Sequence, residues 1–199
     1  MNRRLLQAVL PLAVTLGLSG CSTSSDTDPH ARFTAALQKE IDNRALARHV
    51  VPVLAERHAG SDQGQFWSSY TALEILQAPR YTAIAERHGF APARLKTRIK
   101  GDASLLISWA FPQRFTRSLS GATEKYVEEL RAIPVPPDPE DAEFRQYMIE
   151  QEEAQVKALA QAAAGRYQAA ADELEAFIAM TRCASGEANS SAALAGCDG

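Results

Sequence analysis

Four side chains capable of polar chemistry lie on the apolar face of one predicted helix, which covers residues 62–89. Trp67, Glu74 and Tyr81 follow one another at intervals of seven residues, and Gln77 lies between them. Because side chains advance by about 100° per residue on an α-helix, all four share one face. An indole, a carboxylate, a phenol and an amide on one face could bind a polar ligand, hold a proton or complete a buried hydrogen-bond network.

Polar side chains also interrupt the apolar faces of two other predicted helices. Glu152 and Gln155 fall within the apolar face of a long helix near the C-terminus, and Arg44 and Arg48 lie beside the apolar stripe of the first helix. Burying a lone carboxylate costs free energy, so inward-facing glutamates are usually paired, protonated or bound to a metal. We therefore expect these residues to meet the polar row of the 62–89 helix in the interior.

Three interpretations of this polar cluster are compatible with the sequence. In the first, Glu74 and Glu152 pair with Arg44 or Arg48, and the glutamines complete a structural network. In the second, the same side chains line a cleft that binds a ligand between aromatic walls. In the third, the carboxylates bridge a metal as in ferritin-like bundles, which take a Glu-x-x-His motif from each of two helices. The sequence contains no Glu-x-x-His, so we predict neither a metal nor any other cofactor.

The motifs of common hydrolases and nucleotide-binding proteins do not occur in the sequence. There is no Gly-x-Ser-x-Gly, no His-Glu-x-x-His and no glycine-rich phosphate loop. His58 and His88 lie just before glycines at expected helix ends, where an imidazole interacts favourably with the last carbonyl groups. No catalytic residue is therefore predicted.

Helices are predicted to position all of these side chains. Sustained alternation of apolar and polar residues does not occur, and strong helix formers dominate the chain. Asp28-Pro29 is typical of a helix start, residues 134–139 form a proline-rich connector, and Gly165 ends the long helix that follows it. The prediction is an all-α, single-domain antiparallel bundle of about five to seven helices over residues 29–182.

Proline and glycine predict further breaks within this bundle. Pro52 falls inside the pattern of the first helix, where we expect a bend or a division into two segments, and Pro79 falls inside the second helix, where we expect a kink. Gly101-Asp102 is expected to interrupt a third helix, and Ser120 is expected to cap the next one.

The last two helices have the spacing of a known helical hairpin. Gly165, Tyr167, Ala170 and Leu174 resemble the tetratricopeptide helix–turn–helix, in which glycine permits the turn and alanine allows close helix packing. The resemblance covers about 30 residues, from Glu152 to Met180, and the sequence departs from it at Phe177, where the repeat usually has a small residue. No second copy occurs, so the resemblance implies a single αα-hairpin that closes the bundle.

The first twenty residues have the pattern of a secretory signal peptide. Basic Arg3 and Arg4 precede residues 5–18, an apolar run that is shorter than the roughly 20 residues needed to span a bilayer. The run ends in Leu18-Ser19-Gly20-Cys21. Here the chain resembles bacterial lipoproteins, and the resemblance implies removal of residues 1–20 and attachment of acyl chains, palmitate among them, to Cys21.

The same resemblance implies a location for the protein. Ser22, not aspartate, follows Cys21, which is typical of lipoproteins sorted to the outer membrane of Gram-negative bacteria. Residues 21–28 are small and polar and form a flexible tether. We therefore expect a lipid-anchored protein in the outer membrane that faces the periplasm, with the membrane and an envelope protein as partners.

Cys183 and Cys197 are the two remaining cysteines of the mature chain. An even pair in an exported protein favours a disulfide, because the periplasm is oxidising. A metal-binding pair is the alternative, although no histidine lies near either cysteine. We expect the disulfide to close residues 183–199, a tail rich in glycine, alanine and serine.

Composition narrows the classes of function. The chain has 199 residues, with 21 Lys and Arg against 24 Asp and Glu, which gives a formal net charge of −3. Electrostatic binding of nucleic acid needs a positive excess, so nucleic acid is not expected among the partners. The sequence predicts a non-catalytic binding or accessory function in the cell envelope. A metal-dependent or hydrolytic enzyme that uses the inward carboxylates is the alternative.

Overall fold

Six α-helices make up the described part of the protein. The structure, a computed structural model, describes residues 28–91, 94–110 and 112–184, and no strand occurs among them. The helices are α1 (Pro29–Arg57), α2 (Asp62–Arg87), α3 (Arg94–Ala110), α4 (Pro112–Arg131), α5 (Pro139–Ala163) and α6 (Tyr167–Ala184). The predicted all-α fold is confirmed. None of these six helices is both long and apolar enough to span a membrane.

The helix pairs in closest contact form a closed ring. The order around the ring is α1, α2, α6, α5, α4 and α3, and α3 returns to α1. Two contacts show that α1 and α2 run in opposite directions. Arg44 of α1 contacts Glu74 of α2. Glu40, one turn before Arg44, contacts Tyr81, which lies two turns after Glu74. Side chains also meet between helices that are not neighbours in this order, since Arg44 of α1 contacts Glu152 of α5 and Tyr81 of α2 contacts Gln151 of α5.

Capping residues define the starts of α1 and α5, and a glycine defines the end of α5, as the sequence predicted. Asp28 and Asp138 accept hydrogen bonds from backbone N–H groups at the starts of α1 and α5, each followed by a proline in the first turn. Gly165, with a φ of 78°, makes the turn between α5 and α6. These two helices pack against each other, so the predicted C-terminal αα-hairpin is confirmed.

Two predicted helix boundaries are wrong. Gly101-Asp102 lies inside α3, and α4 begins at Pro112 instead of Ser120. A Cβ atom at Gly101 would lie 2.2 Å from the His49 ring on α1, so this glycine allows two helices to pack closely and does not break one. Proline is favourable in the first turn of a helix, where its missing N–H has no partner to lose.

α1 and α2 also continue through their internal prolines. Pro52 lies within α1 and Pro79 within α2, so the alternative of two separate segments is wrong. Both prolines are exposed, and the carbonyl groups that lose an N–H partner on that side can bond to water. The row of Trp67, Glu74 and Tyr81 therefore stays on one helix.

One hydrophobic core lies inside the ring. Large side chains from five helices are buried there, among them Phe33, Leu37, Phe66, Leu73, Leu130, Met148, Leu159 and Leu174, and Leu105 of α3 packs against them. Residues 1–27 and 185–199 lie outside the described part, so the signal peptide, lipidation at Cys21 and a disulfide to Cys197 remain predictions. Cys183 lies in the last turn of α6, which ends two residues beyond the predicted limit of the bundle at 182.

Candidate functional site

A buried arginine on α1 joins three glutamates inside the ring. Arg44 Nη1 lies 2.8 Å from Glu74 Oε1 on α2, and Arg44 Nη2 lies 2.6 Å from Glu152 Oε1 on α5. Arg44 Nε lies 3.0 Å from Glu40 Oε1, one turn earlier on α1. All four side chains are at most 5% exposed. These residues, which we call the Arg44 cluster, connect α1, α2 and α5.

Three carboxylates in the Arg44 cluster share one guanidinium group. Burial raises the pKa of Glu74 and raises that of Glu152 further, and Arg44 opposes both shifts. Burial alone would lower the pKa of Arg44, but the three glutamates raise it well above its ordinary value. The arginine is therefore held in its charged form, while burial gives Glu74 and Glu152 a tendency to keep a proton.

Tyrosine and glutamine side chains extend the Arg44 cluster. The Tyr81 hydroxyl on α2 lies 3.0 Å from Glu40 Oε1 and 2.7 Å from Gln151 Oε1 and can donate to either oxygen. Tyr70, also on α2, donates to Gln155 Oε1 on α5. Burial raises the pKa of both tyrosines, so the phenols stay neutral and act as donors. The polar centre thus consists of hydrogen-bonded side chains from three helices.

The structure brings seven of the eight predicted site residues together. Buried inside the ring are Arg44, Trp67, Glu74, Gln77, Tyr81, Glu152 and Gln155. Arg48 is only half-buried and, among the described residues, forms no ion pair with Glu74 or Glu152. Arg44 is therefore the partner of both glutamates. The Gln77 amide is buried but makes no hydrogen bond of good geometry within the described part.

A cavity of about 220 Å³ adjoins the Arg44 cluster. Arg44, Glu152 and Gln155 contribute to its polar wall, and Trp67 and Tyr70 add aromatic surface. The rest of the wall is mostly apolar and comes from α1 and α4, including Leu46, Val50, Leu54, Phe115 and Leu119. Apolar cavities of about 150 Å³ bind benzene or xenon in other proteins, so this volume is sufficient for a small molecule.

Hydrogen-bond donors without partners occur on the residues that line the cavity. Trp67 Nε1 and Gln155 Nε2 are buried and have no acceptor among the described residues. The Tyr126 hydroxyl, on another lining residue, also makes no hydrogen bond of good geometry there. A buried donor left without an acceptor costs about 1–3 kcal/mol. These atoms belong to residues that line the cavity, but each of them is itself covered by protein.

The sequence analysis missed two polar residues of the centre, Glu40 and Gln151, and both are fully buried. Their positions carried a signal. Glu40 is seven residues after Phe33, and Gln151 is seven residues after Phe144, so each lies on the apolar face of its helix. Glu40 also precedes Arg44 by four residues, the spacing of a helical ion pair. Their spacing on the apolar faces of α1 and α5 is therefore the signal that predicts their burial.

A second polar cluster joins the ends of α2 and α5. His88 is the C-cap of α2, as predicted, and its Nε2 lies 2.8 Å from Asp141 Oδ1 on α5. Arg87 Nη1 lies 3.1 Å from the same oxygen and Arg87 Nη2 lies 2.8 Å from Asp138 Oδ2. These contacts attach the N-terminus of α5 to the C-terminus of α2, which is a structural role.

At the Arg44 cluster, Glu74 and Glu152 are both engaged with Arg44. In the part of the chain that the structure covers, no three His, Cys, Asp or Glu side chains are placed to hold a metal ion. Comparison with protein-family models, with curated proteins and with solved structures gave no match. The function therefore has to be argued from the cavity and the residues around it.

Proposed function

We propose that this protein is a non-catalytic binding protein of the cell envelope that takes a small, largely apolar molecule into the cavity beside the Arg44 cluster. The observation that carries the proposal is the composition of the cavity wall. Most of the apolar side chains come from α1 and α4, and a smaller number of polar groups, among them Arg44, Glu152 and Gln155, complete the wall, which is the usual make-up of a small-molecule site.

The Arg44 cluster supports this proposal by fixing the polar end of the cavity. Arg44 contacts Glu74 and Glu152 on two other helices at 2.8 and 2.6 Å, and Gln155 accepts a hydrogen bond from Tyr70. Side chains held by several partners keep their positions when a ligand binds, so little conformational entropy is lost on binding. The network is structural, and it also positions one wall of the proposed site.

Calorimetric titration of the purified protein with benzene tests the proposal. We expect saturable binding of one benzene molecule. Ala47 lines the cavity, and Ala47→Leu should weaken binding by about tenfold or more, because the larger side chain occupies the space. Ala45→Leu is the matched control: Ala45 is also half-buried on α1 but does not line the cavity. Absence of benzene binding, or equal effects of the two substitutions, would rule out the proposed site.

We propose, in addition, that acyl chains on Cys21 anchor the protein in the outer membrane, where it faces the periplasm. The support is the sequence from Leu18 to Ser22 and the start of α1 at Pro29, which leaves a short polar tether after Cys21. Several acyl chains hold a protein to a bilayer far more firmly than one, because each buried CH₂ group contributes about 0.8 kcal/mol. Contact with an envelope protein and the Cys183–Cys197 disulfide belong to the same proposal.

A further inference from the structure

We propose that the outer face of α3 is a membrane-contact surface, which binds the headgroup region of an anionic bilayer. Its apolar side chains enter the boundary between headgroups and acyl chains, and the cations beside them contact lipid phosphates. This inference goes beyond the proposed binding function, because it concerns the outside of the bundle and does not depend on the cavity. It adds a protein contact with the membrane to the acyl chains proposed on Cys21.

Three large apolar side chains are exposed close together on α3. Leu106 is 66% exposed, Ile107 is 52% exposed and Trp109 is 70% exposed. The opposite side of the helix faces the bundle, because Gly101 and Ser108 are buried. The other exposed large hydrophobic residues of the described part lie singly on other elements, at Val53, Ile75, Val135 and Met180. The outer face of α3 is therefore where exposed apolar side chains cluster.

The part of the chain that carries this apolar surface is basic. Residues 94–117, which include α3 and the start of α4, contain six Lys and Arg against one acid, Asp102, a formal net charge of +5. The whole chain has a formal net charge of −3. Of the six cations, Lys100, Arg114 and Arg117 are exposed on the described surface. Positive charge is therefore concentrated beside the exposed apolar side chains.

α1 adds charges of both signs beside α3. Arg57 Nη1, at the end of α1, lies 3.1 Å from Ser108 Oγ, and the exposed Glu56 precedes it in the chain. Asp102 Oδ1 lies 3.2 Å from His49 Nε2, also on α1. Cations thus outnumber carboxylates around α3 when the neighbouring helix is included.

An anionic bilayer matches both the apolar and the basic character of this surface. Helices that lie in the plane of a membrane combine Leu and Trp on one side with Lys and Arg beside them. Tryptophan is enriched at membrane–water boundaries, and basic residues are attracted to anionic headgroups. A second copy of the chain matches less well, because a symmetric contact of α3 with α3 would bring two positive segments together.

The proposed anchor would keep the outer face of α3 near a bilayer. The contact of Arg57 with Ser108 places the C-terminal ends of α1 and α3 side by side. α1 has 29 residues and is therefore about 43 Å long, so the anchor and Trp109 lie near its opposite ends. Both reach the membrane when α1 lies along the bilayer surface. The contact through α3 is weak by itself, and the anchor makes it effective by raising the local concentration.

Binding of the purified full-length chain to vesicles tests the proposal. On vesicles of phosphatidylcholine and phosphatidylglycerol, Leu106→Ser should weaken binding about tenfold, because an apolar side chain no longer enters the bilayer. Ile75→Ser on α2 is the matched control, since Ile75 is 67% exposed and Leu106 is 66% exposed; it should leave binding within about twofold. Residues 1–28 are the same in all of these chains, so their contribution cancels. Equal weakening by the two substitutions would overturn the proposal.

Neutralising two cations tests the electrostatic part of the contact. Arg114→Gln combined with Arg117→Gln should weaken binding to the same anionic vesicles about 20-fold, and should leave binding to pure phosphatidylcholine unchanged. Arg131→Gln combined with Arg166→Gln removes the same charge from exposed residues outside 94–117 and should change binding about twofold at most. Equal losses for the two double variants would mean that only net charge matters, and the assignment to α3 would be wrong.

Tryptophan fluorescence reports directly whether α3 meets the bilayer. The chain has two tryptophans, Trp109 and Trp67, and Trp67 is only 1% exposed. Lipids brominated on their acyl chains should quench the emission of the bound protein, and Trp109→Phe should abolish that quenching. Bound protein without quenching would overturn the proposal. A lipid-free dimer that Leu106→Ser dissociates would also overturn it, because the outer face of α3 would then belong to a contact between two copies.

Discussion

Arg44 is the residue on which the interior of this protein depends most. It lies on α1 and pairs with Glu74 on α2 and Glu152 on α5, so a single side chain connects three helices of the ring. A buried ion pair of this kind adds little net stability compared with a well-packed apolar core, but removal of one partner leaves the other polar groups buried without a partner. The consequence can be measured.

Arg44→Leu should lower the free energy of unfolding by about 3–5 kcal/mol, because Glu74 and Glu152 would lose their partner while buried. Chemical denaturation followed by circular dichroism measures this loss. Arg48→Leu, the same change one turn later on α1, should cost less than Arg44→Leu, because Arg48 is half-buried and acts on Glu74 only as a nearby charge, without a direct ion pair to either glutamate. Similar losses for both variants would mean that Arg44 is not the centre of the network.

For single residues, the sequence predicted which polar side chains are buried, but it did not predict which of them form ion pairs with each other. Glu74, Gln77, Glu152 and Gln155 interrupt apolar faces at helical spacing, and burial follows from that pattern. The choice of Arg44 over Arg48 as partner depends on how α1 is rotated relative to α2 and α5. That rotation is set by packing across the ring, which no local pattern encodes.

At the level of the helices, α3 contains a glycine, Gly101, that was predicted to interrupt the helix but lies inside it. Gly101 is buried against His49 on α1, and Asp102 Oδ1 lies 3.2 Å from His49 Nε2. Glycine lowers the intrinsic stability of a helix by about 1 kcal/mol, which is why the sequence predicted a break here. The close approach of α1 and α3 explains the glycine instead, and this requirement is tertiary.

Gly101→Ala should lower the free energy of unfolding by about 1 kcal/mol, because the added methyl group would contact the His49 ring and push α3 away from α1. Gly121→Ala provides the control in the next helix: Gly121 is exposed in α4, and a Cβ atom there has no atom within 4 Å. That variant should be more stable than the original protein by about 1 kcal/mol. Thermal unfolding of both variants compares them, and stabilisation by both would contradict the close-packing explanation.

Helix starts were easier to predict from the sequence than helix interruptions. The Asp-Pro pairs at 28–29 and 138–139 begin α1 and α5, because the aspartate caps the free N–H groups and the proline fits the first turn. Pro52 and Pro79 do not end their helices, because both lie on exposed faces. Local chemistry therefore determines the starts, while the surroundings decide whether an internal proline is tolerated.

At the scale of the whole molecule, five of the six helices contribute to the cavity. The helices in closest contact follow the order α1, α2, α6, α5, α4, α3, and the cavity beside the Arg44 cluster is lined by residues of α1, α2, α3, α4 and α5. The sequence predicted an all-α bundle with an αα-hairpin, and this is confirmed. It did not predict the ring, because the order of helices depends on which faces fit together.

The proposed lipid anchor makes a prediction about the location of the protein. Cys21→Ser removes the site of acylation, so the protein should move from the membrane fraction to the soluble periplasmic fraction, because no acyl chain would hold it to the bilayer. Fractionation with immunodetection measures the distribution. Ser22→Thr, next to the acylation site, should leave the protein with the membranes. Membrane association that survives Cys21→Ser would contradict the anchor.

The most direct test of the central claim is a crystal structure of the protein under xenon pressure. Xenon enters apolar cavities that are large enough to hold it. Our account predicts a xenon atom between α1 and α4, in contact with Val50, Leu54 and Phe115, which line the cavity. A structure in which this space is filled by protein side chains, or in which xenon binds only elsewhere, would contradict the account.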